Sequence, residues 1–229
     1  MKAPSLHLPD DVLLDYALGN TTEGASLLAA CHLTYCSTCR ALVAESERMA
    51  GAALDASEGA PLDGHALEHA LARLDAVPSE ATPRTTTSSV LPPATGPNAS
   101  DLVGAPVPRP LAASLESINA RWRRLVPGVQ AIDLPLAAAS ATARLLKFPP
   151  GYRIPLHDHG GPEYSIILSG AISESGLEAG PGDFFVKTGG EPHQQLVATG
   201  GVCVALIVNE GPILPLTLPG RLVKALFRV

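Results

Sequence analysis

A chain of 229 residues, 46% hydrophobic and 17% charged, can bury one large core or two small ones. No run approaches the ~18 uninterrupted apolar residues of a membrane-spanning helix, and the N-terminus MKAPSLHLPDD turns acidic where an export signal needs an apolar centre. A cytoplasmic protein with reduced cysteines is therefore expected, and its net charge of −6 is uneven: residues 1–80 hold four bases against twelve acids (−8), residues 81–229 twelve against ten (+2).

The acidic N-terminal part is a poor partner for nucleic acid and a reasonable one for a basic protein, although solvated helix faces serving solubility explain the charge equally well. In DDVLLDYALGN the apolar residues Val12, Leu13, Tyr16 and Ala17 recur at helical spacing, and Gly19 is placed to cap the helix. Thr21, Thr22 and Glu23 open a second helix through SLLAACHL, a third begins near Ser37, and Asp63 can cap a fourth, GHALEHALARLDA. Residues 1–76 thus read as a small all-α unit of about four helices.

Within that unit His32, Cys36 and Cys39 form HxxxCxxC across a helix junction. A CxxC pair lets two thiolates share one tetrahedral ion, and the histidine lies a helical turn before it. His7, ahead of the first helix, is the candidate fourth ligand. Two neutral imidazoles and two thiolates would leave bound Zn²⁺ formally neutral and buriable at modest cost. Cys31 falls outside the spacing and reads as a packed small apolar residue, though it is close enough in sequence to exchange with the site on oxidation. His65 and His69, at i and i+4 with no third donor nearby, read as a solvated helix face.

Residues 77–110 are dense in Pro, Ser, Thr and Gly and lack a hydrophobic period, so they read as a flexible linker that leaves the flanking units free to move. From Leu111 onward, Trp122, Val126 and Val129 to Leu134 suggest the first strands, and residues 137–148, AAASATARLLKF, the strand before a Gly-rich turn. Further short apolar runs follow at 183–186, 195–197 and 202–208, a spacing that fits a β-barrel or jelly roll. Cys203 reads as a core residue, and the closing GRLVKALFRV as a short helix.

The stretch Gly151–Gly170, GYRIPLHDHGGPEYSIILSG, carries the second candidate site. Side chains at i and i+2 of a strand share a face, so His157 and His159 point the same way, with Glu163 four positions on and His193 available downstream. Three imidazoles and a carboxylate make a metal site that leaves one or two positions open; its N/O donors suit Zn, Mn, Fe or Ni.

The spacing of Gly151, His157, His159, Glu163 and Gly170 resembles the first motif of the cupin barrels. Gly182, Gly190 and His193 match the second, with Thr188 and Val197 where that family usually has Pro and Asn. HxxxCxxC in a short acidic helical unit resembles the zinc-binding anti-sigma domain, and its joining to a cupin resembles the ChrR class of anti-sigma factors, over residues 5–75 and 115–220. The resemblance implies an α + β two-domain chain: a zinc-binding helical domain at 1–76, the linker 77–110, and a cupin domain at 111–229. It places the first ligand set on His7, His32, Cys36 and Cys39 and the second on His157, His159, Glu163 and His193. It also implies that the helical domain sequesters an ECF-type sigma factor, and that the cupin senses singlet oxygen or an organic hydroperoxide and promotes release. Since many cupins dimerise, a homodimer is open.

The competing reading is a metal-dependent cupin enzyme, a dioxygenase or isomerase, with the helical unit as an accessory. Against it, Arg153, Tyr164 and Glu191 are the only acid, base or anion-binding residues near the motif. A redox-responsive DNA-binding regulator conflicts with the charge of the helical half.

Overall fold

The computed structural model describes residues 3–75, 98–138 and 140–217. The proposed terminal helix and residues 77–97 of the proposed linker lie outside these.

Helix α1 (Asp10–Ala17) starts on Asp10 and Asp11, which complement the helix dipole, and ends before Gly19 at φ +74°. Thr22 caps α2 (Glu23–Tyr35), its hydroxyl accepting from the Ala25 amide at 3.2 Å. Cys36 closes α2 and opens α3 (Ser37–Asp55), because its extended backbone (φ −109°, ψ 108°) interrupts the helical path for one residue. The Asp63 carboxylate accepts from the His65 amide at 2.8 Å ahead of α4 (Ala66–Asp75). Helix α4 adds nothing to the bundle: Leu67, Leu71 and Leu74 are all exposed. The packed helical unit is therefore α1 to α3, with the apolar face of α4 uncovered by the described residues.

The second half of the expected linker is structured. Residues 99–103 form α5 (Ala99–Val103), capped by Asn98 and closed by Gly104 at φ +73°; α6 (Arg109–Ser117) follows Pro108, with Pro110 in its first turn. Ala99, Val103, Leu111 and Leu115 are buried, which gives this Pro-rich stretch the apolar anchors that its composition hides.

Eleven strands are described: β1 (Arg123–Val126), β2 (Val129–Leu134), β3 (Thr142–Phe148), β4 (His157–His159), β5 (Glu163–Ser169), β6 (Ile172–Glu174), β7 (Leu177–Ala179), β8 (Phe184–Lys187), β9 (Leu196–Val197), β10 (Cys203–Asn209) and β11 (Ile213–Pro215). They form a six-stranded antiparallel sheet in the order β1-β2-β3-β10-β5-β8, with a β7-β6-β9 sheet and a β11-β4 pair. Alternation along β10 explains the packing. Cys203, Ala205 and Ile207 face the small sheet with Phe148, Ile167, Ile172 and Val197, while Val204, Leu206 and Val208 face the helices with Leu28, Ala29, Leu111 and Leu115. A strand buried on both faces reads as a continuous apolar run, as CVALIV does.

The helical unit and the sheet domain consequently share one core, where the sequence suggested two units free to move. Gly24 marks the closest approach: a Cβ there would lie 2.6 Å from Val208 Cγ1 and 3.2 Å from its Cγ2. Gly24→Ala gains about 1 kcal/mol of helix propensity but overpacks a stiff β-branched side chain, at about 1–3 kcal/mol. A net loss, seen as a lower denaturant midpoint, is expected; a higher midpoint would mean that α2 does not dock here.

Candidate metal centres

The first cluster forms where α2 ends and α3 begins. His32 lies on the last turn of α2, Cys36 at the junction and Cys39 in the first turn of α3, while the N-terminal strap of residues 4–8 brings in His7. His7 Nδ1 is 3.2 Å from Cys36 Sγ and 3.6 Å from Cys39 Sγ, and His32 Nε2 is 3.3 Å from Cys39 Sγ. Zn–S of ~2.3 Å and Zn–N of ~2.0 Å at tetrahedral angles put sulfur and nitrogen about 3.5 Å apart, so the donors are spaced as one four-coordinate ion requires. The Cys36 sulfur accepts from the Cys39 amide at 3.4 Å, and the Nδ1–H of His32 donates to the Gly182 carbonyl at 2.7 Å, which turns Nε2 toward the thiols. Only His7 of the four is exposed.

Burial pushes the Cys39 thiol up to about 11 and the His32 imidazole below its ordinary value. At neutral pH the metal-free cluster thus holds a protonated Cys39 and an imidazole ready to ligate. A metal takes Cys39 as the thiolate and displaces its proton, so affinity should rise about tenfold per pH unit from this proton alone. Chelator competition between pH 6.5 and 8.5 measures the slope; a flat profile would contradict the assignment of Cys39 as a ligand.

The second cluster is closed by β-pairing. β4 presents His157 and His159 on one face, β5 begins at Glu163, and His193 is brought over by a bridge in which the His157 and His193 amides donate to each other's carbonyls at 3.1 and 2.9 Å. Ring centroids of the three histidines lie 4.4–5.0 Å apart, and Glu163 oxygens lie 3.8 Å from His159 Nε2 and 3.9 Å from His193 Nε2. Nδ1–H of His157 donates to the Pro155 carbonyl at 2.8 Å and that of His193 to the Glu191 carbonyl at 3.2 Å, leaving both Nε2 atoms inward. Both ring nitrogens of His159 and Nε2 of His193 are buried without a hydrogen-bond partner. Orphaned buried nitrogens converging on a carboxylate are what a bound cation satisfies.

Burial, with the neighbouring imidazoles, holds His159 down to about 4, and burial lowers His157; burial pushes Glu163 up to about 7, partly offset by a hydrogen bond with Asn209. A neutral His157 and His159 beside a carboxyl reluctant to ionise alone suit a cation that would stabilise the carboxylate. On one side lies an apolar cavity of about 160 Å³, walled by Leu125, Val129, Phe148, Tyr152 and Ile207.

The remaining sequence candidates lie elsewhere. Arg153 and Glu191 are exposed, and Tyr164 packs on the opposite face near Phe184. Cys31 and Cys203 are fully buried with thiols pushed up to about 12, which makes both inert. His65 lies in the turn just before exposed α4 and His69 on it. Sequence reading missed Asn209 and Gln195 near the second cluster and Gly182 and Asp183 behind the first. The glycine was visible in the second cupin motif; nothing local pairs either residue with the N-terminus.

A sheet domain with a His₃Glu cluster, covered by helices that carry a His₂Cys₂ cluster, defines a cupin-like protein with an appended candidate metal-binding helical unit. Residues 112–214 match the ChrR cupin-like domain family. Over 97% of this chain and 98% of the relative, the sequence is 29% identical to the anti-sigma-E factor ChrR of Cereibacter sphaeroides. The crystal structure of Rhodobacter sphaeroides SigE in complex with the anti-sigma ChrR aligns with 89% of this chain and 98% of the matched chain, at 27% identity and a TM-score of 0.66. The resemblance to ChrR-type proteins drawn from the sequence is thereby borne out. No helix among the described residues is long and apolar enough to cross a membrane.

Proposed function

We propose that this chain is a cytoplasmic anti-sigma factor that sequesters an ECF-type sigma factor and releases it on oxidation. Whole-length similarity to ChrR carries the reading, and the surface supports it: Leu14 of α1 and Leu18 at its C-terminal cap, Leu42 and Met49 of α3, and Leu67 and Leu71 of α4 are exposed on an acidic unit. Apolar helix faces in an acidic field suit a basic protein partner better than solvent, nucleic acid or membrane.

In this reading His7, His32, Cys36 and Cys39 hold Zn²⁺, which fixes α1 and α3 against α2 in the binding form. His157, His159, Glu163 and His193 hold a second divalent ion, Zn, Mn, Fe or Ni, where a stimulus such as singlet oxygen or a hydroperoxide is received beside the apolar cavity. Oxidation of Cys36 or Cys39 would remove thiolate ligands and loosen the helices. The relative matched over its whole length is a regulator, which favours a regulator over a cupin enzyme.

Co-expression with an ECF sigma factor of the same genome tests the proposal. A stable complex that dissociates on hydroperoxide treatment is expected. Failure to form a complex at any zinc level would overturn the partner, and a complex indifferent to oxidants would overturn the stimulus.

A further inference from the structure

The cupin domain reaches behind the helical metal centre through three consecutive residues. The Gly182 carbonyl accepts the Nδ1–H of His32 at 2.7 Å, across 150 positions of sequence. Gly182 has φ +90°, and a Cβ there would lie 2.7 Å from Tyr35 Cβ, so the missing side chain is what lets the end of α2 come this close. Asp183 is buried, and its Oδ1 accepts from the Ser5 amide at 2.6 Å, the Leu6 amide at 2.8 Å and the Ser5 hydroxyl at 3.2 Å. Its Oδ2 accepts from the Gly180 amide at 2.7 Å. Phe184 completes the set: its amide donates to the Leu6 carbonyl at 3.3 Å, and its ring meets that of His32 edge-on at 5.9 Å.

We infer that the Gly182–Phe184 edge of the cupin is the outer shell of the helical metal centre, with Asp183 as a positioning residue. Ser5 and Leu6 immediately precede His7, the one exposed donor of the four. The buried carboxylate pins two successive amides of the strap and so fixes where the His7 ring stands, while the Gly182 carbonyl fixes the tautomer and orientation of His32. Two of the four donors are thus aimed by a domain that contributes no donor to the site. Without Asp183 the strap loses its anchor, His7 leaves first, and water reaches the ion. Metal retention in the helical unit then depends on its docking to the cupin, a dependence that neither cluster alone implies. The inference rests on the assignment of a metal to His7, His32, Cys36 and Cys39.

The test uses the full-length protein loaded with Co²⁺. Thiolate-to-cobalt charge-transfer absorption belongs to the first cluster alone, since the second has no thiol. Loss of that band on adding EDTA is timed. Asp183→Ala should release cobalt about 10–100-fold faster than the parent. Asp183→Asn, whose amide oxygen can still accept from Ser5 and Leu6, should stay close to the parent rate. Ser5→Pro removes both the amide and the hydroxyl donor of Ser5 but keeps the Leu6 amide and the cupin sequence, and should fall between. An unchanged rate in Asp183→Ala would overturn the inference, as would equal acceleration in Asp183→Ala and Asp183→Asn, which would confine the carboxylate to the Gly180 turn. No charge-transfer band in the parent would overturn the metal assignment itself, a failure distinct from either.

Discussion

On the proposed function, Cys36→Ser is expected to reduce the metal content of the protein from two ions to one and to abolish sigma-factor binding. Cys36 is the hinge of the first cluster: it ends α2, opens α3, accepts the Cys39 amide and stands 3.2 Å from His7. Serine keeps the cap but offers a hydroxyl where the ion takes a thiolate. Structural zinc is worth roughly 10–16 kcal/mol to small folds that depend on it, far more than α1 and α3 recover from Leu13 and Val43, their only buried apolar side chains besides Cys39. Helix α2 has a second support, since Leu28 and Ala29 lie in the core shared with β5 and β10. Amide exchange should therefore quicken in α1 and α3 while α2 and the sheet stay protected. Retention of two ions by the variant would remove Cys36 from the site.

His159→Leu is expected to change stability in opposite directions with and without metal. In the metal-free protein both ring nitrogens of His159 are buried and unpartnered, a desolvation cost of about 1–3 kcal/mol that leucine does not carry. The metal-free variant should thus melt above the metal-free parent. With metal at about a hundred times its dissociation constant, the parent gains about 2.7 kcal/mol that the variant cannot, and the order reverses. Paired thermal melts with EDTA and with added metal read both signs; the same order in both would show that His159 is not a ligand.

Both clusters were legible because their signals are local. HxxxCxxC spans one helix junction, and HDHGGPE puts two imidazoles on one strand face a turn away from a carboxylate. His7 and His193 are distant in sequence and entered with those motifs. The docking of the two units was not read, although EGASLLAACHLTY is apolar on nearly all sides, the mark of a helix covered all round. Prolines masked α5 and α6, because Pro at a helix start looks like linker punctuation until Val103, Leu111 and Leu115 are seen to be buried. Helix α4 shows the converse: its amphipathic pattern is real, but nothing among the described residues covers its apolar face. The bond from Ser5 to Asp183 spans 178 positions and leaves no trace in either neighbourhood.

That span also orders the assembly of the protein during its synthesis. All four donors of the first cluster leave the ribosome within the first 39 residues, yet the carbonyl that orients His32 and the carboxylate that anchors the His7 strap belong to residues 182 and 183. If those donors hold an ion as proposed, a nascent chain would capture it early but hold it loosely until the cupin is nearly complete. Firm retention would then come last, and truncated products would be the ones that give their metal back.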